Sequence, residues 1–191
     1  MLKFYTNKDL SQILGINLAK WKRWSRDFLP PDPLGGLQSG YARQYNPDEA
    51  FKVFLGGYLV SELKFTIPQA KQILQDLNDW LVEYGFYFGI SDSSKPAKNA
   101  THEVKRFIID IYPKRSHHNE NSMFFYKISG IVSERVIQHK EQPGSEVVSL
   151  EWVVNKPEDR EDWNKWLGCR IINISELRAG FLSSLQSTSL T

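Results

Sequence analysis

Lys20, Lys22, Arg23 and Arg26 fall close together, and Arg43 follows in Gly40-Tyr41-Ala42-Arg43-Gln44-Tyr45. A guanidinium is a planar fork of N–H donors that meets two acceptors at once, such as two phosphate oxygens or the O6 and N7 of guanine. A lysine ammonium is a compact point charge that suits either. Wound as an α-helix, Ala19, Lys22, Arg23 and Arg26 recur at i, i+3, i+4 and i+7 on one face, with Lys20 flanking it. Trp21, Trp24 and Phe28 recur at i, i+3 and i+7 on another face. One side anchors, and the other presents cations around a small residue, Ala19, that lets a partner approach the backbone. In an extended strand Tyr41, Arg43 and Tyr45 share one side, so two rings would steady the stem of an arginine aimed at a phosphate.

The neighbouring residues predict the elements that would position these groups. Thr6-Asn7-Lys8-Asp9 reads as an N-cap with an acid three residues on, and Leu10, Ile13 and Leu14 follow at helical spacing. Gly15 ends this first helix. Asn17 caps a second, which runs to about Asp27 and stops at Phe28-Leu29-Pro30-Pro31, where neither proline continues a helix. Residues 32–45 carry Gly35, Gly36 and Gly40 between short extended pieces and read as a hairpin, or wing. Asn46-Pro47-Asp48-Glu49 opens a third helix with a cap, a proline at the first position and acids in the first turn. Thr66 caps a fourth, with Ile67, Ala70, Ile73, Leu74, Leu77, Trp80 and Leu81 on its apolar side.

At Tyr84-Gly85 the period changes. Phe86–Ile90, Val104–Tyr112, Met123–Gln138, Val147–Val154 and Arg170–Ile174 favour strands, and Ser175–Leu185 a last helix. The fold class expected is therefore α+β: an N-terminal helix-turn-helix with a wing over residues 1–84, then an antiparallel-sheet α+β domain over 85–191.

Charge is distributed unevenly. The first 45 residues hold seven bases against three acids, and the remainder is slightly acidic, within an overall net charge of +2. A basic block of this kind is a modest electrostatic footprint for a polyanion. With 41% hydrophobic residues the composition is that of an ordinary folded domain. No apolar run reaches membrane-spanning length, and no leader pattern follows Met1, so no membrane partner is expected. A single cysteine, Cys169, excludes an intrachain disulfide and a multi-cysteine zinc site. The simplest localisation is cytoplasmic.

The C-terminal stretch offers no catalytic set, and neither a cofactor nor a metal is expected. His117-His118 lies among polar residues and reads as an exposed turn. Glu158-Asp159-Arg160-Glu161-Asp162 precedes Trp163 and Trp166 and reads as the solvated start of a short helix. Cys169 reads as a small core residue.

Residues 4–74 resemble the winged helix-turn-helix of MerR-type transcription regulators. The resemblance rests on Tyr5-Thr6, Leu14-Gly15-Ile16, Trp21-Lys22-Arg23-Trp24, Leu29-Pro30-Pro31, Gly40-Tyr41-Ala42-Arg43-Gln44-Tyr45, Asn46-Pro47-Asp48-Glu49 and Lys64-Phe65-Thr66-Ile67. It implies that Ala19, Lys20, Lys22 and Arg23 face the major groove of double-stranded DNA, with Arg26 on the same basic face, and that Tyr41 and Arg43 meet the phosphates beside it. The long dimerising helix and the thiol cluster of metal-sensing members are both missing here. A homodimer through residues 85–191 is expected instead, paired through an edge such as Val104–Tyr112 or Val147–Val154, or through the last helix. An effector or a protein partner could also occupy that domain. Two other readings fit the residues: an excisionase-like architectural DNA binder, and a protein-interaction adaptor whose basic helix is merely solvated.

Overall fold

The structure is a computed structural model and describes residues 4–32, 42–87, 104–114, 123–138, 143–155 and 168–187. Helices and antiparallel sheets are combined in an α+β fold. The elements run β1 (Tyr5–Thr6), α1 (Asn7–Ile13), α2 (Leu18–Phe28), β2 (Gln44–Tyr45), α3 (Pro47–Ser61), α4 (Ile67–Asp76), α5 (Asn78–Glu83), β3 (Arg106–Pro113), β4 (Phe124–Gln138), β5 (Pro143–Val154), β6 (Arg170–Asn173) and α6 (Ile174–Ser187). The chain divides into two compact units, Met1–Ser94 with Arg178–Thr191, and Lys95–Leu177. Among the described residues no helix is long and apolar enough to cross a membrane.

The first unit is helical and closed by local signals. Thr6, Asn46 and Thr66 each complete a reciprocal capping box, with Asp9, Glu49 and Gln69 respectively. Gly15, at φ +64°, turns the chain between α1 and α2. A left-handed residue is easiest for glycine, which has no Cβ to clash. Ser11 Oγ donates to the Ile16 carbonyl across the same turn at 2.7 Å. The corner after α3 uses Lys64, at φ 59°, in the left-handed role, and the Phe65 N–H reaches back to the Leu59 carbonyl at 3.0 Å. That bond satisfies an end carbonyl of α3, and Phe65 is buried beside it.

Two expected elements differ here. The fourth helix is divided at Leu77, which sits at φ −90° and ψ −5°, so that α5 begins as a separate turn. Phe86 and Tyr87 are not in a strand. Gly85 turns left-handed at φ +74°, and both following N–H groups bond the Leu81 carbonyl, at 2.8 and 3.2 Å. The apolar pair thus folds back over the end of α5 into the core. Residues 88–90, the rest of that expected strand, lie outside the described residues, as do His117-His118, the acidic run 158–162, Trp163 and Trp166.

In the same unit Phe181 of α6 packs on Phe51 and Phe54 of α3, with ring centroids 5.3 Å apart in each case.

The second unit is a four-stranded antiparallel sheet in the order β5-β4-β3-β6. Ile109 lies opposite Ile128 on one side and Ile172 on the other, and Ile111 opposite Tyr126; this row is buried. The reverse face carries Asp110 opposite Lys127, whose ammonium meets Glu151 at 2.8 Å. Two expectations are corrected. Val104–Tyr112 is no edge, because β3 is paired on both sides, and β5 and β6 are the outer strands of this sheet. Cys169 is exposed rather than buried: it stands one residue before β6, a short strand at the outer side of the sheet.

Candidate nucleic-acid interface

Among the described residues, the caps and packing partners that orient the basic helix lie in the first unit. The Asn17 side chain accepts from the N–H groups of Ala19 and Lys20, at 2.9 and 3.3 Å, and so satisfies two of the free donors at the start of α2. At the other end the Leu29 N–H bonds the Ser25 carbonyl at 3.1 Å before the prolines break the helix.

Trp21, Trp24 and Phe28 are buried, as their spacing predicts. They are admitted by Gly56 and Gly57 of α3. A Cβ at 56 would come 2.5 Å from the Phe28 ring, and one at 57 would come 2.2 Å from the Trp24 ring. The glycine pair therefore sets how closely α2 lies on α3. This spacing is invisible in α2 itself.

Ser25 is a buried polar residue on the anchoring face. Its Oγ stands 2.6 Å from Tyr45 OH, which in turn donates to Asn7 Oδ1 at 2.7 Å. Since the phenol proton goes to Asn7, the serine hydroxyl is the donor to the phenol oxygen. Burial raises the Tyr45 pKa, opposed by the Ser25 hydrogen bond and the Arg43 charge, so the phenol stays protonated. One chain of hydrogen bonds thus joins α1, α2 and β2. The β1–β2 pairing of Tyr5 with Tyr45 fastens the same corner.

The opposite face is solvent-facing. Ala19, Lys20, Lys22, Arg23 and Arg26 are all exposed. The Lys20 ammonium lies 4.7 Å from the centre of the Trp24 ring, a cation–π contact that holds its stem along the helix. Arg23 Nε is 3.9 Å from Asp27, and the same carboxylate is 3.9 Å from Lys71 of α4. Lys71 is thereby brought beside the basic face of α2, a placement that helical spacing within α2 could not reveal.

Arg43 departs from the expectation of an outward-pointing clamp. Its side chain is only 15% exposed, with Nη2 3.8 Å from Glu49. Nη1 donates to the Pro30 carbonyl at 2.8 Å, and the guanidinium stands 5.5 Å from the centre of the Tyr45 ring. The arginine ties the end of α2 to β2 and to the capping glutamate of α3, because three acceptor surfaces converge where it enters. Tyr41 lies outside the described residues.

No protein-family model matches this chain, and no curated protein does either. Its functional reading therefore rests on the geometry of this face. Among the described residues no three side chains of the metal-binding types cluster.

Proposed function

We propose that this chain is a sequence-specific DNA-binding transcription regulator whose N-terminal unit works as a winged helix-turn-helix of the MerR type. The observation that carries the reading is the division of α2 into two faces. Trp21, Trp24, Ser25 and Phe28 are buried, while Ala19, Lys20, Lys22, Arg23 and Arg26 are exposed together on a helix capped at its start and packed on α3. A helix held this way can enter a major groove without rearranging.

The mechanism is non-covalent. Lys20, Lys22 and Arg26 supply phosphate contacts and thus affinity, and Arg23 offers a bidentate fork to a base edge. Ala19, near the start of α2, allows the backbone to approach. A single face with so few cations binds modestly at physiological salt, so two copies on paired half-sites complete the reading, joined through residues 85–191. The outer strand β5 is the longer of the two outer strands in the sheet and is the pairing edge we favour.

The test is selection of bound sequences from a random duplex pool by the full chain, followed by titration of Arg23→Ala on the best site. A recovered sequence motif and a loss of about 1–3 kcal/mol are expected. No DNA affinity at low salt would favour the adaptor reading, and bending of non-promoter DNA the architectural one.

A further inference from the structure

Asp27 sits in the last turn of α2 and faces two cations at once. Arg23 Nε lies 3.9 Å from its Oδ2, one turn earlier on the same helix, and Lys71 Nζ lies 3.9 Å from its Oδ1. The Arg23 and Lys71 side chains are 70% and 51% exposed, against 27% for the acid. An acid near a helix C-terminus opposes the helix macrodipole, which favours cations there. Helix energetics alone therefore give no reason for a carboxylate at this position. The two cations give one, since each offsets the unfavourable charge.

We propose that Asp27 stands in for a DNA phosphate. In the free protein its carboxylate holds Arg23 and Lys71 together. On binding, a phosphate of the duplex takes the carboxylate's place at Lys71 of α4, which becomes a backbone contact beside the α2 face, and Arg23 is freed for its base edge. The inference rests on the reading of that face as the one that meets DNA.

The chemistry suits displacement. A carboxylate and a phosphate monoanion present similar acceptor oxygens to the same donors. The internal pairs are long and solvent-exposed, and pairs of that kind hold weakly. A phosphate brings the added gain of releasing condensed counterions, which an internal aspartate lacks. Asp27 then withholds Lys71 from the backbone of any duplex, whatever its sequence. It leaves the preference among sequences to the side chains that touch bases.

The experiment titrates a random-sequence duplex with the full chain across a salt series, using wild type, Asp27→Asn, Asp27→Ser, Lys71→Gln and Asp79→Asn. Asp79 lines the same shallow cleft as Asp27 and Lys71 and controls for the loss of any one negative charge. Both Asp27 variants should bind about two- to fivefold tighter than wild type, the range that a weak surface pair can withhold. Lys71→Gln should bind more weakly and lower the salt slope by about one unit. Asp79→Asn should match wild type. Thermal unfolding of the Asp27 variants should stay native, since the change removes a charge that opposes the helix dipole.

Asp27 variants no tighter than wild type would overturn the proposal, as would an equal gain from Asp79→Asn. An unchanged salt slope for Lys71→Gln would remove Lys71 as a phosphate contact and overturn it too. A wild-type chain that leaves the duplex unbound at low salt would overturn the DNA reading and this inference together, a result separate from the failure of the Asp27 variants alone.

Discussion

Ser25 Oγ and Tyr45 OH stand 2.6 Å apart in the core beneath α2, and the phenol donates its own hydrogen bond to Asn7 Oδ1. Removing the Tyr45 hydroxyl leaves the buried Ser25 hydroxyl without its acceptor, which costs roughly 1–3 kcal/mol, whereas removing the Ser25 hydroxyl leaves the phenol its bond to Asn7 and costs about 0.5–1.5 kcal/mol. Tyr45→Phe and Ser25→Ala should lower the unfolding free energy, read from urea titration, by amounts in those two ranges respectively. The double variant should lose less than the sum, with a coupling energy of about 0.5–3 kcal/mol. Strict additivity would show that the two hydroxyls act independently.

Gly57→Ala sets two effects against each other. In a helix interior the exchange ordinarily gains about 0.5–1 kcal/mol. Here the new methyl would come 2.2 Å from the ring of Trp24, which is buried. Overpacking of this kind costs about 1–3 kcal/mol, so a net loss of stability is expected. DNA affinity should fall with it, because a displaced Trp24 moves the whole of α2. A stable variant with unchanged near-ultraviolet circular dichroism would mean that α2 can shift along α3 at little cost.

Arg43 is a positioning residue in this structure, so its removal should appear first in stability. Arg43→Ala loses the bond to Pro30 and the pair with Glu49. Charge-assisted hydrogen bonds are worth about 1.5–3 kcal/mol, and this partly exposed one belongs near the lower end. Arg43→Lys should restore little, because one ammonium cannot reproduce the fork. The salt dependence of DNA binding should keep its slope in both variants. A slope lower by about one unit would instead restore a phosphate contact to Arg43.

Asp110 gives the second unit a pH dependence. Burial raises its pKa, Lys127 opposite it pulls the value back, and Glu151 pushes it up again. The neutral acid is favoured in the fold. As pH rises past the ordinary value of 3.8, the unfolded chain ionises first, so this contribution to stability is full below that value and is lost as pH climbs to the folded pKa. Asp110→Asn keeps the neutral side chain at every pH. It should gain in stability relative to wild type on going from the acid range to neutrality, as read by urea unfolding at several pH values. A gap between the two proteins that does not change with pH would contradict the assignment.

Much of the first unit is written locally in the chain. Thr6, Asn17, Asn46 and Thr66 cap the helices they were expected to cap, because a cap is a bond between residues two or three apart. The buried stripe of α2 follows from helical spacing alone, and the strands of the second unit follow from β-branched and aromatic runs. What local pattern could not supply is any choice between distant partners. Phe86 and Tyr87 carry the composition of a strand, yet the left-handed turn at Gly85 sends them back over α5. Val104–Tyr112 is strand-like in any position, and only pairing on both sides makes β3 interior. Arg43 alternates correctly for an outward clamp, but Pro30 and Glu49 converge on it from two other elements and turn it inward. Lys71 sits far along the chain from Asp27, and no periodicity within either helix joins them. Tertiary contact decided these cases because hydrogen bonds and ion pairs depend on distance in space, whereas caps and amphipathic stripes depend on distance along the chain.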